Sequence, residues 1–146
     1  MPFSILIADD HDELRNALKS TIEARSDWRV CAMARNGREA VQKAIELKPD
    51  AVILDFAMPV MDGIAAACEI SMAMPGLPIL LYTNHLSATL EAEAKKAGIQ
   101  QVLGKTEPIE HLLTAVEALA REKVRFAAEN ILASQPPKSR RQSGAS

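Results

Sequence analysis

The chain has 146 residues, which is the size of one compact domain and leaves little length for a second. Its net charge is −2, so no overall basic field points to nucleic acid, and its apolar runs are too short to cross a membrane. The sequence opens without a basic stretch followed by an apolar core, so we expect a cytoplasmic protein.

Five short apolar runs mark the candidate strands. The first, third and fourth are continuous rather than alternating, which is typical of strands buried on both faces of a parallel sheet. The second and fifth lie beside more polar residues, as edge strands do. In chain order the predicted strands are 3–8, 30–34, 51–54, 77–83 and 101–103.

Apolar residues at helical spacing fill the intervals between these runs. The predicted buried stripes contain Leu14, Leu18 and Ile22; Ala40, Val41, Ala44 and Ile45; Ile64, Cys68 and Ile70; Leu86, Leu90, Ala94 and Ala97; and Ile109, Leu112, Leu113, Val116, Leu119 and Ala120. Gly98 is placed to end the fourth helix. Strand and helix alternate five times, so the sequence predicts an α/β fold, a doubly wound parallel sheet with right-handed crossovers.

The C-terminal part has a different composition. Residues 134–146 are rich in Ser, Pro, Arg and Gln and predict a disordered tail. Residues 123–133 predict either a linker or an extension of the fifth helix, which leaves 1–122 as the folded domain. The two cysteines, Cys31 and Cys68, lie in separate apolar segments and predict reduced core residues rather than a disulfide or a metal pair.

Polar residues stand at the carboxyl ends of four predicted strands. Asp9 and Asp10 end the first strand, Asp55 the third and Thr83 the fourth, and the fifth runs into Lys105. A parallel sheet brings these ends to one edge. Three carboxylates in one pocket need a cation, and an oxygen-rich site suits Mg²⁺. A carboxylate beside a metal can attack phosphorus, with a lysine and a hydroxyl to hold the transferred group.

Each of these residues alone has an ordinary explanation. A single Asp after a strand is usually a helix cap, and a lone Thr or Lys near a strand end has no special role. Their joint occurrence at four strand ends is what predicts a site. For His11, which follows the acidic pair, a surface or capping role is favoured over an approach to the metal.

Four motifs resemble the receiver domains of bacterial two-component response regulators, over about residues 3–120. ILIADDH resembles the family's first strand with its acidic pair, and AVILDFAMPVMDG resembles its third strand and the loop that follows. LLYTN is similar to the strand that carries the switch threonine, and AGIQQVLGK to the approach to the lysine. The DDH triplet and the spacing of the motifs are most similar to the NarL/LuxR-type branch.

This resemblance implies a flavodoxin/CheY-like (βα)5 fold with strand order 2-1-3-4-5. It implies that Asp55 accepts a phosphoryl group from a sensor histidine kinase or a phosphotransfer protein, and that Thr83 and Lys105 hold this group. The metal ligands that it implies for Mg²⁺ are Asp9, Asp10, Asp55 and the backbone carbonyl of Ala57. The output is a conformational change passed to a downstream protein partner, without direct nucleic acid or membrane binding by this chain, and a homodimer stays open. Such a protein catalyses only its own phosphorylation and dephosphorylation, so no further enzyme activity is expected.

Two departures from the family keep other functions open. Val102 stands where the family usually has Tyr or Phe, and Asn84 stands where a small residue usually follows the threonine. A non-phosphorylated scaffold, or pseudo-receiver, is therefore one alternative. The N-terminal part of a NarL-type DNA-binding transcription factor is another, because most members of that branch continue into a helix-turn-helix. A phosphatase of the haloacid dehalogenase type is disfavoured, because those enzymes carry a DxD motif where this chain has Asp9 and Asp10.

Overall fold

The computed structural model describes residues 2–25 and 27–134, and strand and helix alternate through this part of the chain. The elements are β1 (Phe3–Ala8), α1 (Asp12–Glu23), β2 (Trp28–Ala34), α2 (Gly37–Leu47), β3 (Ala51–Leu54), α3 (Gly63–Ala73), β4 (Ile79–Thr83), α4 (Ala88–Lys96), β5 (Gln101–Gly104) and α5 (Ile109–Ser134). Apart from Ser134, the predicted tail 134–146 lies outside the described residues.

The strands form one parallel sheet in the order β2-β1-β3-β4-β5. This confirms the predicted doubly wound architecture and its strand order. β2 and β5 are the edge strands, as their polar flanks predicted. From β1 the chain adds β2 on one side of the sheet and then β3, β4 and β5 on the other side. In such sheets the ligand-binding crevice lies outside the carboxyl ends of the two strands where the direction changes, which are β1 and β3 here.

Two apolar cores cover the two faces of the sheet. Successive residues of a strand point to opposite faces, so Ile5 and Ile7 pack with α1 and α5, whereas Leu6 and Ala8 pack with α2, α3 and α4. All four residues are buried. Helices on both faces therefore explain why the central strands are continuously apolar rather than alternating.

Three residues assigned to buried stripes are exposed. Cys68 is exposed, because α3 packs through its small residues Ala66 and Ala67 and this turns the next position outward. Ile45 is about half exposed on α2, and Leu86 lies in the loop before α4 rather than in the helix. The prediction that both cysteines are core residues is wrong for Cys68, while Cys31 is half-buried; both thiols are free.

Local caps explain where the central helices begin and end. The Asn36 side chain accepts a hydrogen bond from Glu39 N at 2.9 Å, and the Ser87 hydroxyl accepts one from Leu90 N at 3.1 Å. Gly98 has a φ of 91°, a left-handed conformation that a glycine adopts without steric cost, and it ends α4 as predicted.

α5 is longer than the other helices of the described chain. Its 26 residues include 123–133, the segment for which a linker and a helix extension were both open. At 1.5 Å per residue the helix is about 39 Å long. Ile131 and Leu132 are exposed near its end. Within residues 2–25 and 27–134, no helix combines the length and the apolar character needed to cross a membrane.

Candidate functional site

Two carboxylates are fixed at the centre of the carboxyl edge by the backbone of the sheet. Asp9 follows β1, and its N–H donates to the carbonyl of Ala34 in β2 at 3.0 Å. Asp55 follows β3, and its N–H donates to the carbonyl of Ala8 at 2.9 Å. Their exposed fractions are only 2% and 4%. The ladder therefore holds two acidic side chains next to each other in a nearly buried position.

Lys105 bridges these two carboxylates. Its Nζ donates to Asp9 Oδ2 at 2.7 Å and lies 3.3 Å from Asp55 Oδ2. Its backbone N–H donates to the carbonyl of Thr83 at 2.8 Å, which fixes the start of the β5–α5 turn. One buried cation thus faces two buried anions, and the pocket keeps an excess of negative charge.

The pKa of Asp55 reflects this imbalance. Burial raises the pKa of the Asp55 carboxyl above its ordinary value, and the negative charge of Asp9 raises it further, while Lys105 acts in the opposite direction. A second cation in the pocket would favour the ionised carboxylate. A bound cation would therefore offset the excess negative charge of the site.

Asp10 and His11 form the solvent side of the pocket. The His11 ring Nδ1 lies 3.0 Å from Asp9 Oδ1 and 3.1 Å from Asp10 Oδ1. A hydrogen bond to Asp9, followed by the charges of Asp10 and Asp9, raises the pKa of His11. His11 occupies the N-cap position of α1. It is exposed, as predicted for a surface residue, but it caps nothing, and its ring nitrogen faces the two carboxylates.

Arg15 is a residue of the site that the sequence reasoning missed. It lies on α1 with 8% of its surface exposed, donates from one guanidinium nitrogen to the backbone carbonyl of Asp9 at 2.6 Å, and pairs with Asp12 through the other. This ties α1 to the turn that carries the acidic pair. The sequence did indicate this residue, because Arg15 is a charged residue on the helical stripe that also contains Leu18 and Ile22.

Thr83 and the loop after it form the other side of the pocket. Thr83 is fully buried, and its hydroxyl oxygen accepts a hydrogen bond from the backbone N–H of His85 at 3.0 Å. The hydroxyl proton is therefore left to donate elsewhere. The ring of His85 contacts the ring of Phe56, the neighbour of Asp55, edge-on at 6.1 Å between centroids and 69° between planes.

The loop after Asp55 depends on a close backbone approach at Gly63. A Cβ at this position would lie 2.2 Å from the carbonyl oxygen of Asp55, so α3 begins against the pocket only with glycine. Within the same loop Val60 has a φ of 70°, which is strained for a β-branched residue. The carbonyl of Ala57 accepts no hydrogen bond from the described residues, which leaves it able to bind an ion.

The donor set fits one divalent cation. Ligand atoms of Asp9, Asp10, His11 and Asp55 all lie within 4.8 Å of one another. Carboxylate and carbonyl oxygens are the ligands that Mg²⁺ takes in proteins while keeping several waters. Of the residues predicted for the site, the structure brings Asp9, Asp10, Asp55 and Lys105 together and places Thr83 against the backbone of Lys105.

The fold and the site define a class of protein. A parallel α/β sheet whose carboxyl edge carries paired buried carboxylates, a bridging lysine and a buried threonine is the arrangement that the sequence motifs predicted for a receiver domain. The family model of the response regulator receiver domain matches residues 5–117, and the chain belongs to this family.

Known proteins narrow the branch within the family. The chain is 38% identical over 112 residues to the transcriptional regulatory protein LnrK of Bacillus subtilis, covering 77% of this chain and 51% of that protein. It is 31% identical over 121 residues to the response regulator protein VraR of Staphylococcus aureus, covering 83% and 58%. A two-component response regulator of the LuxR family from Aurantimonas sp. SI85-9A1 superposes with a TM-score of 0.78 at 27% identity, covering 88% of this chain and 99% of that one. This is a receiver domain of the NarL/LuxR type, and it spans half to three fifths of these curated relatives.

Proposed function

We propose that Asp55 accepts a phosphoryl group from the phosphohistidine of a sensor histidine kinase or phosphotransfer protein, and that the phosphorylated domain signals to a downstream protein by a change of conformation. The observation that carries this proposal is the position of Lys105, with its ammonium between the buried carboxylates of Asp9 and Asp55. A lysine in that position neutralises an anion in the resting site and is already in place for the phosphoryl oxygens.

The chemistry needs one carboxylate as nucleophile. An oxygen lone pair of Asp55 forms the O–P bond as the N–P bond of the phosphohistidine breaks, and the leaving imidazole keeps the electron pair and binds a proton. Asp10, Asp55 and the Ala57 carbonyl would hold Mg²⁺, with Asp9 acting through water, and the ion would supply positive charge for the incoming phosphoryl oxygens. The phosphoryl group stays on the chain's own side chain until water removes it, so the proposed role is a switch and not an enzyme that turns over free substrates.

Two groups would hold the product. Lys105 pairs with a phosphoryl oxygen in place of part of its contact with Asp55. Thr83 donates its free hydroxyl proton to another oxygen, and the backbone N–H of His85 follows because it is bonded to the same hydroxyl. Phosphorylation thus changes the environment of the β4–α4 loop, which is the step that a partner would read.

A second candidate function concerns the longer relatives. LnrK is a transcriptional regulatory protein, and this chain covers 51% of it. We therefore also propose that this receiver regulates a DNA-binding part encoded with it. Sequencing the gene beyond the codon for Ser146 tests this: a helix-turn-helix in the same reading frame is expected, and a stop codon at that point would contradict it.

Acetyl phosphate provides the direct test of phosphorylation. We expect intact-mass spectrometry of the chain with acetyl phosphate and Mg²⁺ to show one added phosphoryl group, which a chelator or Asp55→Asn abolishes. Asp62→Asn is the matched control: Asp62 lies in the following loop and caps α3 by accepting from Ala65 N at 2.8 Å, and asparagine caps equally well. An unmodified wild-type mass would contradict the proposal and favour the scaffold alternative.

A further inference from the structure

His11 is an exposed residue whose ring contacts two carboxylates of the pocket and caps no backbone N–H. Its side chain is 67% exposed, yet its ring nitrogen points back at two carboxylates rather than into solvent. Its backbone N–H also donates to Asp9 Oδ1 at 2.9 Å, which fixes the start of its side chain beside the pocket. The ring therefore lies on the solvent side of the proposed metal site, within reach of an ion bound there.

The His11 ring nitrogen is close enough to Asp10 for both to bind one ion. Adjacent ligands on an octahedron with bonds of about 2.1 Å lie about 3.0 Å apart. The His11 Nδ1 atom lies 3.1 Å from Oδ1 of Asp10, the carboxylate proposed to bind the ion directly, and ligand atoms of His11, Asp10 and Asp55 all lie within 4.8 Å of one another. A dication bound between them would find the imidazole nitrogen and the carboxylate already convergent.

An imidazole changes which ion such a site prefers. Mg²⁺ is a hard ion that takes oxygen ligands and gives up water reluctantly. First-row transition ions accept imidazole nitrogen readily, and their affinity for a mixed nitrogen and oxygen site rises from Mn²⁺ toward Cu²⁺. A carboxylate set with one imidazole therefore discriminates less strongly in favour of Mg²⁺ than a set made of oxygen atoms alone.

We propose that His11 is a direct ligand of the metal site and that it shifts the selectivity of the site from Mg²⁺ toward transition dications such as Mn²⁺. This inference rests on the proposed metal-dependent phosphorylation and adds a nitrogen ligand to it. It also assigns a role to the third residue of the DDH triplet, while Asp9 and Asp10 keep theirs.

Manganese supplies a spectroscopic signature of this ligand. We would bind Mn²⁺ to the full chain and record electron spin echo envelope modulation, in which a nitrogen bonded to Mn²⁺ gives ¹⁴N modulation. The three histidines allow matched variants: His11→Ala, His85→Ala and His111→Ala. Because the His11 side chain makes no capping hydrogen bond, His11→Ala removes no cap from the start of α1.

The expected result is ¹⁴N modulation in the wild type, His85→Ala and His111→Ala, and none in His11→Ala. The preference for Mn²⁺ over Mg²⁺, from titration of the free Mn²⁺ signal with Mg²⁺ as competitor, should fall about tenfold in His11→Ala. Bound Mn²⁺ without ¹⁴N modulation, or modulation and ion preference unchanged in His11→Ala, would overturn the role of His11 alone. Absence of saturable binding of either ion would instead overturn the metal-dependent function on which it rests.

Discussion

The two halves of the carboxyl edge are built differently. The half formed by β1 and β3 carries buried charge, and each group is held by several partners: Asp9 contacts Lys105, His11 and the backbone of β2. The half formed by β4 and the following loop holds one buried hydroxyl, on Thr83, and residues 84–89 are all exposed. Dense pairing makes the first half rigid, and sparse contacts let the second half move, so we expect chemistry in one and signalling in the other.

Val102 strengthens this contrast. It lies on β5, paired in register with Leu81, and packs partly buried on the core shared with α4. A β-branched side chain is nearly fixed at χ1 and lacks the bulk of the aromatic residue that the family usually has there. We therefore expect a signal that leaves Thr83 to pass through the loop from Asn84, where His85 contacts Thr83 and Phe56, rather than through β5. A two-state loop of this kind is able to amplify a small displacement.

Loss of Lys105 should have the largest effect. Lys105→Met leaves Asp9 and Asp55 buried without their cation, and we expect the free energy of unfolding to fall by about 3 kcal/mol in urea titration. Mg²⁺ should restore part of this loss, because a dication replaces the missing charge and binds only the folded pocket. Lys95→Met, on the exposed face of α4, is the control and should change little. If Mg²⁺ stabilised the wild type and Lys105→Met equally, the bound ion would not be replacing the charge of Lys105, which would contradict this prediction.

Arg15 should be the next most sensitive position. Arg15→Met removes the donor to the Asp9 carbonyl and should cost about 1–3 kcal/mol in the same titration. It should also weaken Mg²⁺ binding, because the turn that carries Asp9 and Asp10 loses its anchor on α1. Arg35→Met is the matched control, since Arg35 is exposed and its pair with Glu39 is long at 4.0 Å. Unchanged Mg²⁺ affinity in Arg15→Met would mean that Arg15 serves only stability.

Lys105 and Arg15 show how much of the site could be predicted from the sequence, since the first was predicted and the second was missed. The five strands and the polar residues at four of their carboxyl ends followed from the apolar runs, and the strand order followed from the family motifs. Arg15 was missed because a helix stripe tells which face is buried but not which backbone carbonyl a guanidinium reaches. The direction of the exposed His11 ring could not be predicted either, because the sequence does not tell which way an exposed side chain turns. Cys68 was misplaced for a related reason, since the small side chains of α3 let several faces of that helix pack equally well.

Asp55→Asn should stabilise the ion-free protein. The pKa of Asp55 is raised in the fold, so its contribution to stability is fully present below the unfolded pKa near 3.8 and is lost as pH rises through the folded value. Asparagine does not ionise, so the variant avoids this loss. At pH 7 we expect it to be more stable than the wild type, and the difference should shrink toward pH 4. A variant less stable at pH 7 would show that the Lys105 contact outweighs burial.

Thr83→Ala should affect signalling with little effect on the chemical step. The hydroxyl accepts a hydrogen bond from the His85 N–H, and we propose that it contacts the phosphoryl group only after transfer. Labelling by acetyl phosphate should therefore proceed at nearly the wild-type rate, while the amide spectra with beryllofluoride shift less than those of the wild type. Thr83→Ser keeps the hydroxyl and should behave as the wild type. If the amide spectra of Thr83→Ala shifted as far as those of the wild type, Thr83 would have no role in the switch.

We expect a phosphoryl group in the half formed by β1 and β3 to change the conformation of the half formed by β4 and the following loop. Hydrogen exchange of the wild type, with and without beryllofluoride and Mg²⁺, tests this expectation most directly. Beryllofluoride mimics the phosphoryl group on Asp55. We expect the largest change in amide protection across residues 84–97 and little change at Val102, with a coupling free energy of about 1–3 kcal/mol. Identical protection of residues 84–97 in both states, under conditions where beryllofluoride binds, would contradict the proposed path of the signal and favour a scaffold.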